Sequence, residues 1–229
     1  MSVDRRSVLK CMALGSVAGP FIGGSLPVRA GVAGAPAQGA IRPTLTLVSP
    51  GAADSAFVLG ARAAIGSPLQ MRQIGPELSD LLDLERQLRR GELIHVIGLL
   101  DDASATLVMD LARSAGARVH WLGQHFAEAG LSRHRLLNTD MTEGCVRELS
   151  RQLHACGAGF TLNEERQNST AAARRLAGPP RSSAHSDQWA ASIGYLLGSL
   201  GTRRLAMAPL VPVSKTPLTG SFVSFSIEA

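Results

Sequence analysis

With 229 residues, 45% of them hydrophobic and 18% charged, the chain has the balance of one globular domain, not of a disordered or coiled-coil protein. Aromatic residues make up only 4%, so the core has to be built mainly from Leu, Val, Ile and Ala. The formal charge of +5 does not point to nucleic acid: Arg5, Arg6, Lys10 and Arg29 against Asp4 put +3 in the first 37 residues and leave +2 for the rest, where no Lys/Arg run is interleaved with aromatics.

The N-terminus carries the most specific motif. Asp4-Arg5-Arg6-Ser7-Val8-Leu9-Lys10 precedes an apolar stretch, Cys11 to Val28, that Gly15, Gly19, Pro20, Gly23 and Gly24 dilute. A stable membrane anchor wants about 20 strongly apolar residues, and this stretch falls short. Small-residue sites follow, with cleavage expected after Ala30 or Ala37. Residues 1–37 resemble a twin-arginine (Tat) export signal, with Arg5 and Arg6 as its arginine pair and with Asp4 and Val8 as departures from its commonest form. That resemblance implies a periplasmic protein handled by the Tat translocation machinery, without a stable membrane anchor after cleavage. Because the pathway carries folded proteins, often loaded with a cofactor or partner, it also suggests a periplasmic redox protein as partner. It names no cofactor.

After a tether at residues 38–43, residues 44–229 read as a single α/β domain in which strand-like and helix-like segments alternate. Thr44 to Val48 is a strand, and Asp54 or Ser55 caps a helix that runs to Ile65 before Gly66. A strand at Gln70 to Ile74 is followed by a helix opened by Pro76, with Leu78, Leu81, Leu82, Glu85 and Leu88 on one face and Arg86, Arg89 and Arg90 near its C-terminus. Leu93 to Leu100 is a nearly unbroken apolar run, the mark of a strand buried on both faces. Asp101 or Asp102 caps a third helix to Ala115, and Ala117 to Leu122 forms the next strand. Three βα units in a row predict a three-layer, doubly wound, mostly parallel sheet.

Further along, a short strand at 135–137 and a helix at 143–156 continue the pattern, while residues 163–186 read as a long exposed loop. A helix at 187–200 carries Trp189, Ile193, Leu196, Leu197 and Leu200 on one face, and Gly194 and Gly198 share a side that allows close backbone packing. Leu205 to Val213 and Ser221 to Ile227 read as a C-terminal antiparallel hairpin at the sheet edge. The segment from Gln87 to Trp121 is similar to part of the bacterial cell-division inhibitor SulA; the match covers some 35 residues, and no site is carried over from it.

In parallel α/β sheets ligands bind beyond the carboxyl ends of the strands, where helix N-termini converge. There Ser49, Asp101 and His125 are the catalytic candidates, with His125 as general base, and Ser55, Asp102 and Ser104 are the candidates for ligand binding. His120, His125 and His134 are the nearest approach to a metal set, but their spacing does not favour one. Dinucleotide, P-loop, nucleophile-elbow, C-x-x-C and H-E-x-x-H motifs are absent from the sequence. The lone post-signal lysine, Lys215, reads as a surface residue. Cys145 and Cys156 on one helix would be about 16 Å apart, too far to bridge, and so are expected as two free, buried thiols. Two readings follow. One is an exported non-catalytic accessory or ligand-binding protein; the alternative is a periplasmic enzyme, most plausibly a hydrolase.

Overall fold

The alternating segments form five helices and eight strands in a computed structural model that describes residues 43–66, 68–75, 77–90, 95–128, 130–138, 144–166, 173–182, 185–200, 207–211 and 217–229. In chain order these are β1 (Thr44–Val48), α1 (Ala56–Ile65), β2 (Gln70–Gln73), α2 (Leu78–Arg89), β3 (His95–Leu100), α3 (Asp102–Ser114), β4 (Arg118–Glu128) and β5 (Leu131–Asn138). They continue with α4 (Cys145–Cys156), β6 (Gly159–Arg166), β7 (Arg174–Gly178), α5 (Gln188–Gly198) and β8 (Gly220–Glu228). Residues Ile41–Ala229 make up one compact unit.

All eight strands lie in one sheet, ordered β2-β1-β3-β8-β4-β5-β6-β7. This corrects the expected fold class. Only β1–β2, β1–β3 and β5–β6 pair in parallel, while β3–β8, β8–β4, β4–β5 and β6–β7 are antiparallel, so the sheet is mixed and not mostly parallel. The first units do cross over as read: α1 and α2 carry the chain from β1 to β2 and from β2 to β3. The pattern then changes because β4 turns directly into β5 across Gly130, whose φ of 78° suits a residue without a Cβ.

The C-terminal strand is not an edge. β8 is inserted at the centre of the sheet, with His95 opposite Glu228 on one side and Gly123 opposite Ser224 on the other. Its Val223, Phe225 and Ile227 are buried, and so are Ser224 and Ser226 on its other face. A strand buried on both faces lowers the cost of an interior position, which an edge hairpin would not require. Residues 207–211 form no strand, and the remainder of the expected first hairpin arm lies outside the described residues. The expected loop at 163–186 contains the end of β6 and all of β7, which pair antiparallel from Phe160–Gly178 to Glu164–Arg174.

Two cores flank the sheet. One lies under α2 and α3 and is built from Leu45, Leu47, Val96, Leu100, Val223, Phe225 and Ile227 with Leu81, Leu84, Leu88, Val108 and Met109. The other lies under α1, α4 and α5 and holds Val48, Ile97, Leu99, Trp121, Leu136, Phe160 and Leu162 with Phe57, Leu149, Trp189, Ile193 and Leu196. Every residue of α5 is buried. Small residues make this possible: a Cβ at Gly194 would stand 2.1 Å from the Phe57 carbonyl oxygen, and one at Gly60 would stand 1.9 Å from that of Ala191. The two backbones therefore meet where no side chain fits between them. Cys145 and Cys156 sit at opposite ends of α4 as free, buried thiols. Burial, with Glu164 and Glu148 nearby, pushes the Cys145 thiol up to about 11, which keeps it in the unreactive protonated form.

Candidate functional site

The side chains with the most unusual environment lie beneath α5, in the antiparallel part of the sheet. Alternation along β4 turns Trp121, Gly123, His125 and Ala127 toward the helices and leaves Gln124, Phe126 and Glu128 exposed. On β5 the same period turns Ser132, His134 and Leu136 inward and Arg133 and Arg135 outward. Because β4 and β5 pair with His125 opposite His134, two imidazoles meet in the core, each only 3% exposed. Their Nδ1 atoms are 2.8 Å apart. Gly123 makes room for them, since a Cβ there would lie 2.7 Å from Ser224 Oγ and 2.8 Å from His125 Nε2.

The surrounding distances fix where the protons sit. His125 Nε2 is 2.7 Å from Ser224 Oγ, which also accepts the Trp121 indole N–H at 2.8 Å. His134 Nε2 is 2.9 Å from Ser132 Oγ, and that hydroxyl reaches the Gly159 carbonyl at 3.4 Å. One direction of donation satisfies every atom. Trp121 donates to Ser224, Ser224 to His125 Nε2, His125 Nδ1–H to His134 Nδ1, His134 Nε2–H to Ser132, and Ser132 to Gly159. The reverse direction leaves the Ser224 hydroxyl hydrogen without an acceptor, a cost of about 1–3 kcal/mol for a buried group. His125 is therefore the Nδ1–H tautomer, His134 the Nε2–H tautomer, and both are neutral.

Electrostatics agree with the hydrogen bonding. Burial, with the neighbouring His134 adding to it, holds His125 well below the usual imidazole range, and burial alone lowers His134 to about 3. The Trp189 ring on α5 closes the site, with its centroid 5.3 Å from that of His125 and 5.5 Å from that of His134. Two imidazoles on one tetrahedral metal at bonds of 2.0–2.1 Å would hold their nitrogens about 3.3 Å apart. The 2.8 Å separation is that of a hydrogen bond. Among the described residues no group of three or more His, Cys, Asp or Glu side chains could hold a metal.

The catalytic candidates from the sequence do not converge. Ser49 directly follows β1, is 6% exposed, and gives its backbone N–H to Leu99. Asp101 caps α3, its Oδ1 accepting the Ser104 N–H at 2.9 Å. Burial opposes ionisation of that carboxyl, but hydrogen bonds from Ser104 outweigh it and leave its pKa below the ordinary carboxylate value. His125 stands on β4, separated from β3 by β8 and from β1 by β3 and β8. At about 4.8 Å per strand these separations are about 10 and 14 Å. His125 is also a strand residue, not the loop residue its neighbourhood suggested, because β4 runs on to Glu128.

The ligand-binding candidates fall at the N-termini of two helices that pack on opposite faces of the sheet. Ser55 is the N-cap of α1, and its buried hydroxyl has no hydrogen-bond partner among the described residues. Asp102 is exposed in the first turn of α3, and Ser104 is half-buried in the same turn. His120 bonds Glu228 at 3.0 Å and takes no part in the pair. Arg5, Arg6 and Lys215 lie outside the described residues. Sequence reasoning missed His134, Ser132, Ser224, Trp121 and Trp189 as a group; the alternation Ser132-x-His134-x-Leu136 was the one local signal, and the partner strand β8 lies some 90 residues further on.

No family model, curated protein or solved structure matches this chain. Among the described residues, no helix is long and apolar enough to cross a membrane.

Proposed function

We propose that this chain is exported by the twin-arginine route and acts in the periplasm as a non-catalytic accessory or ligand-binding protein. The observation that carries the non-catalytic part is the state of His125. Both its ring nitrogens are committed inside a closed hydrogen-bond chain, leaving no lone pair for a substrate, and Asp101 is committed to capping α3. A general base needs a free lone pair within reach of the proton it takes.

A binding role draws support from the part of the sheet that stays parallel. β1 is flanked by β2 on one side and β3 on the other, with α1 packed in one core and α2 in the other. Where neighbouring parallel strands hand over to helices on opposite faces, as β1 does to α1 and β3 to α3, ligands usually sit beyond the carboxyl ends of that strand pair. Ser49 and Ser55 follow β1, and Asp101, Asp102 and Ser104 follow β3, so the ligand would meet hydroxyls and the N-termini of α1 and α3.

The decisive experiment is to purify the processed protein from the native periplasm and subject it to native mass spectrometry. A bound species that is lost on replacing Ser55 and Ser104 by Ala is the expected result. Substitution of Arg5 and Arg6 by Lys is expected to leave the precursor in the cytoplasm. Hydrolytic turnover that disappears in a folded His125→Gln variant would replace this reading with the enzymatic one.

A further inference from the structure

The closed chain through His125 and His134 has a chemical consequence beyond ligand binding: it accommodates both rings neutral, one proton poorly and two not at all. A first added proton turns His125 into a donor at both nitrogens. Ser224 Oγ then accepts from both Trp121 and His125, and its own hydrogen is left without a partner. A second proton places two N–H groups face to face across 2.8 Å, with no acceptor between them. No compensating charge is at hand among the described residues.

Each element packed on the pair confirms that shortage. From β4 come Trp121 and Gly123, from β5 Ser132, from β6 the Gly159 carbonyl, from β8 Ser224 and Phe222, and from α5 Trp189. The buried carboxylates on these elements are engaged elsewhere. Glu164 of β6 pairs with Arg174, and Asp187 before α5 accepts the Leu218 N–H. Glu128, Arg133 and Arg135 are exposed, Arg133 pairing with Glu128 and Arg135 with Glu165, and His120 is held by Glu228. Among the described residues, His134 is the one group whose charge bears on His125, and burial alone acts on His134.

We propose that the His125–His134 pair is an acid-sensitive latch that ties β4, β5 and β8 together beneath Trp189 at neutral pH and lets go when the two rings take up protons. The sign follows from the neutral folded state. A histidine kept below its unfolded value of about 6.5 binds fewer protons folded than unfolded, so its contribution is complete above that value and is lost as pH falls toward the folded value, about 3 for His134. With two such rings the opening equilibrium shifts by up to about 100-fold per pH unit below pH 6.

The chain supplies its own reporters in its two tryptophans: Trp189 packs on both imidazoles, and Trp121 joins the same hydrogen-bond chain through Ser224. Urea unfolding of the intact protein, followed by tryptophan fluorescence between pH 7.5 and 4.5, is expected to show the unfolding constant rising by up to two powers of ten per pH unit. In a His125→Gln/His134→Gln double variant that excess slope should disappear. Equal slopes in the two proteins would assign the acid response to carboxylates and overturn the latch. Should the double variant not fold, nitrogen-15 NMR of the unaltered protein decides. The expected spectrum shows His125 as an Nδ1–H and His134 as an Nε2–H neutral ring, neither titrating while the fold persists; titration of either of these two rings near pH 6.5 within the unchanged fold overturns the proposal.

Discussion

The two halves of the sheet solve the burial of a strand in different ways. In the parallel half β3 is covered on both faces: Val96 and Leu100 enter the core under α2 and α3, Ile97 and Leu99 the core under α1 and α5, and all four are at most 1% exposed. In the antiparallel half β5 is covered on one face only, with Arg133 and Arg135 in water opposite Ser132, His134 and Leu136. A strand covered on both faces is stabilised by apolar area alone. A strand covered on one face has half that area, and here its buried side carries polar groups, which are tolerable only because they bond one another. The polar chain thus belongs to the half with the weaker hydrophobic drive.

The largest expected effect comes from removing the cover of that half. Trp189→Ala would open a cavity over both imidazoles and is expected to cost about 4 kcal/mol in urea denaturation, as for a core aromatic. Loss of much less would mean that α5 does not hold the polar chain in place. Next comes the seam between α1 and α5. Gly194→Ala forces a methyl group against the Phe57 carbonyl, where the backbone of α1 cannot yield as a flexible side chain would, and about 2–3 kcal/mol is expected. A neutral result would show that the helices are free to separate.

The parallel half was the legible one. The apolar run before Asp101 marks β3, and the Asp-led segment that follows marks α3, because double burial and capping both leave short-range signatures. α4 and α5 were legible for similar reasons, through their apolar faces and the Gly that ends α4. The antiparallel half was obscured by its own polar interior. A buried Glu164 after Leu162 made β6 look like the start of a loop, and an inward His125 and His134 broke the apolar alternation that marks a half-buried strand. The placing of β8 between β3 and β4 could not be read locally at all. It depends on pairings such as His95 with Glu228, more than a hundred residues apart in sequence. Likewise His125 and Asp101 follow successive strand ends in the sequence, yet β8 separates their strands in the sheet.

A smaller effect separates structure from function at the carboxyl ends. Asp101→Ala removes the α3 cap and is expected to lower stability by about 1 kcal/mol, whereas Asp101→Asn keeps a side-chain oxygen for the Ser104 N–H and should change it little. Thermal denaturation of the pair of variants measures this directly. If Asn abolishes binding of a ligand while stability stays level, Asp101 meets the ligand itself; if binding follows stability, its role is confined to the cap.

The smallest effect is expected on the exposed face of β5, and its smallness is the informative part. Arg135 pairs with Glu165 at 3.2 Å, with the two side chains 64% and 44% exposed, so water screens the attraction and Arg135→Ala should alter stability by no more than about 0.5 kcal/mol. The same substitution on a strand covered on both faces would be ruinous, since it would empty a core position. A loss above 1 kcal/mol, measured by urea denaturation in dilute protein, would mean that something packs on this face. The contrast between a sheet half with two cores and one with a single core would then fail. A loss within the expected limit leaves the polar chain beneath α5 as the arrangement that compensates for the missing second core.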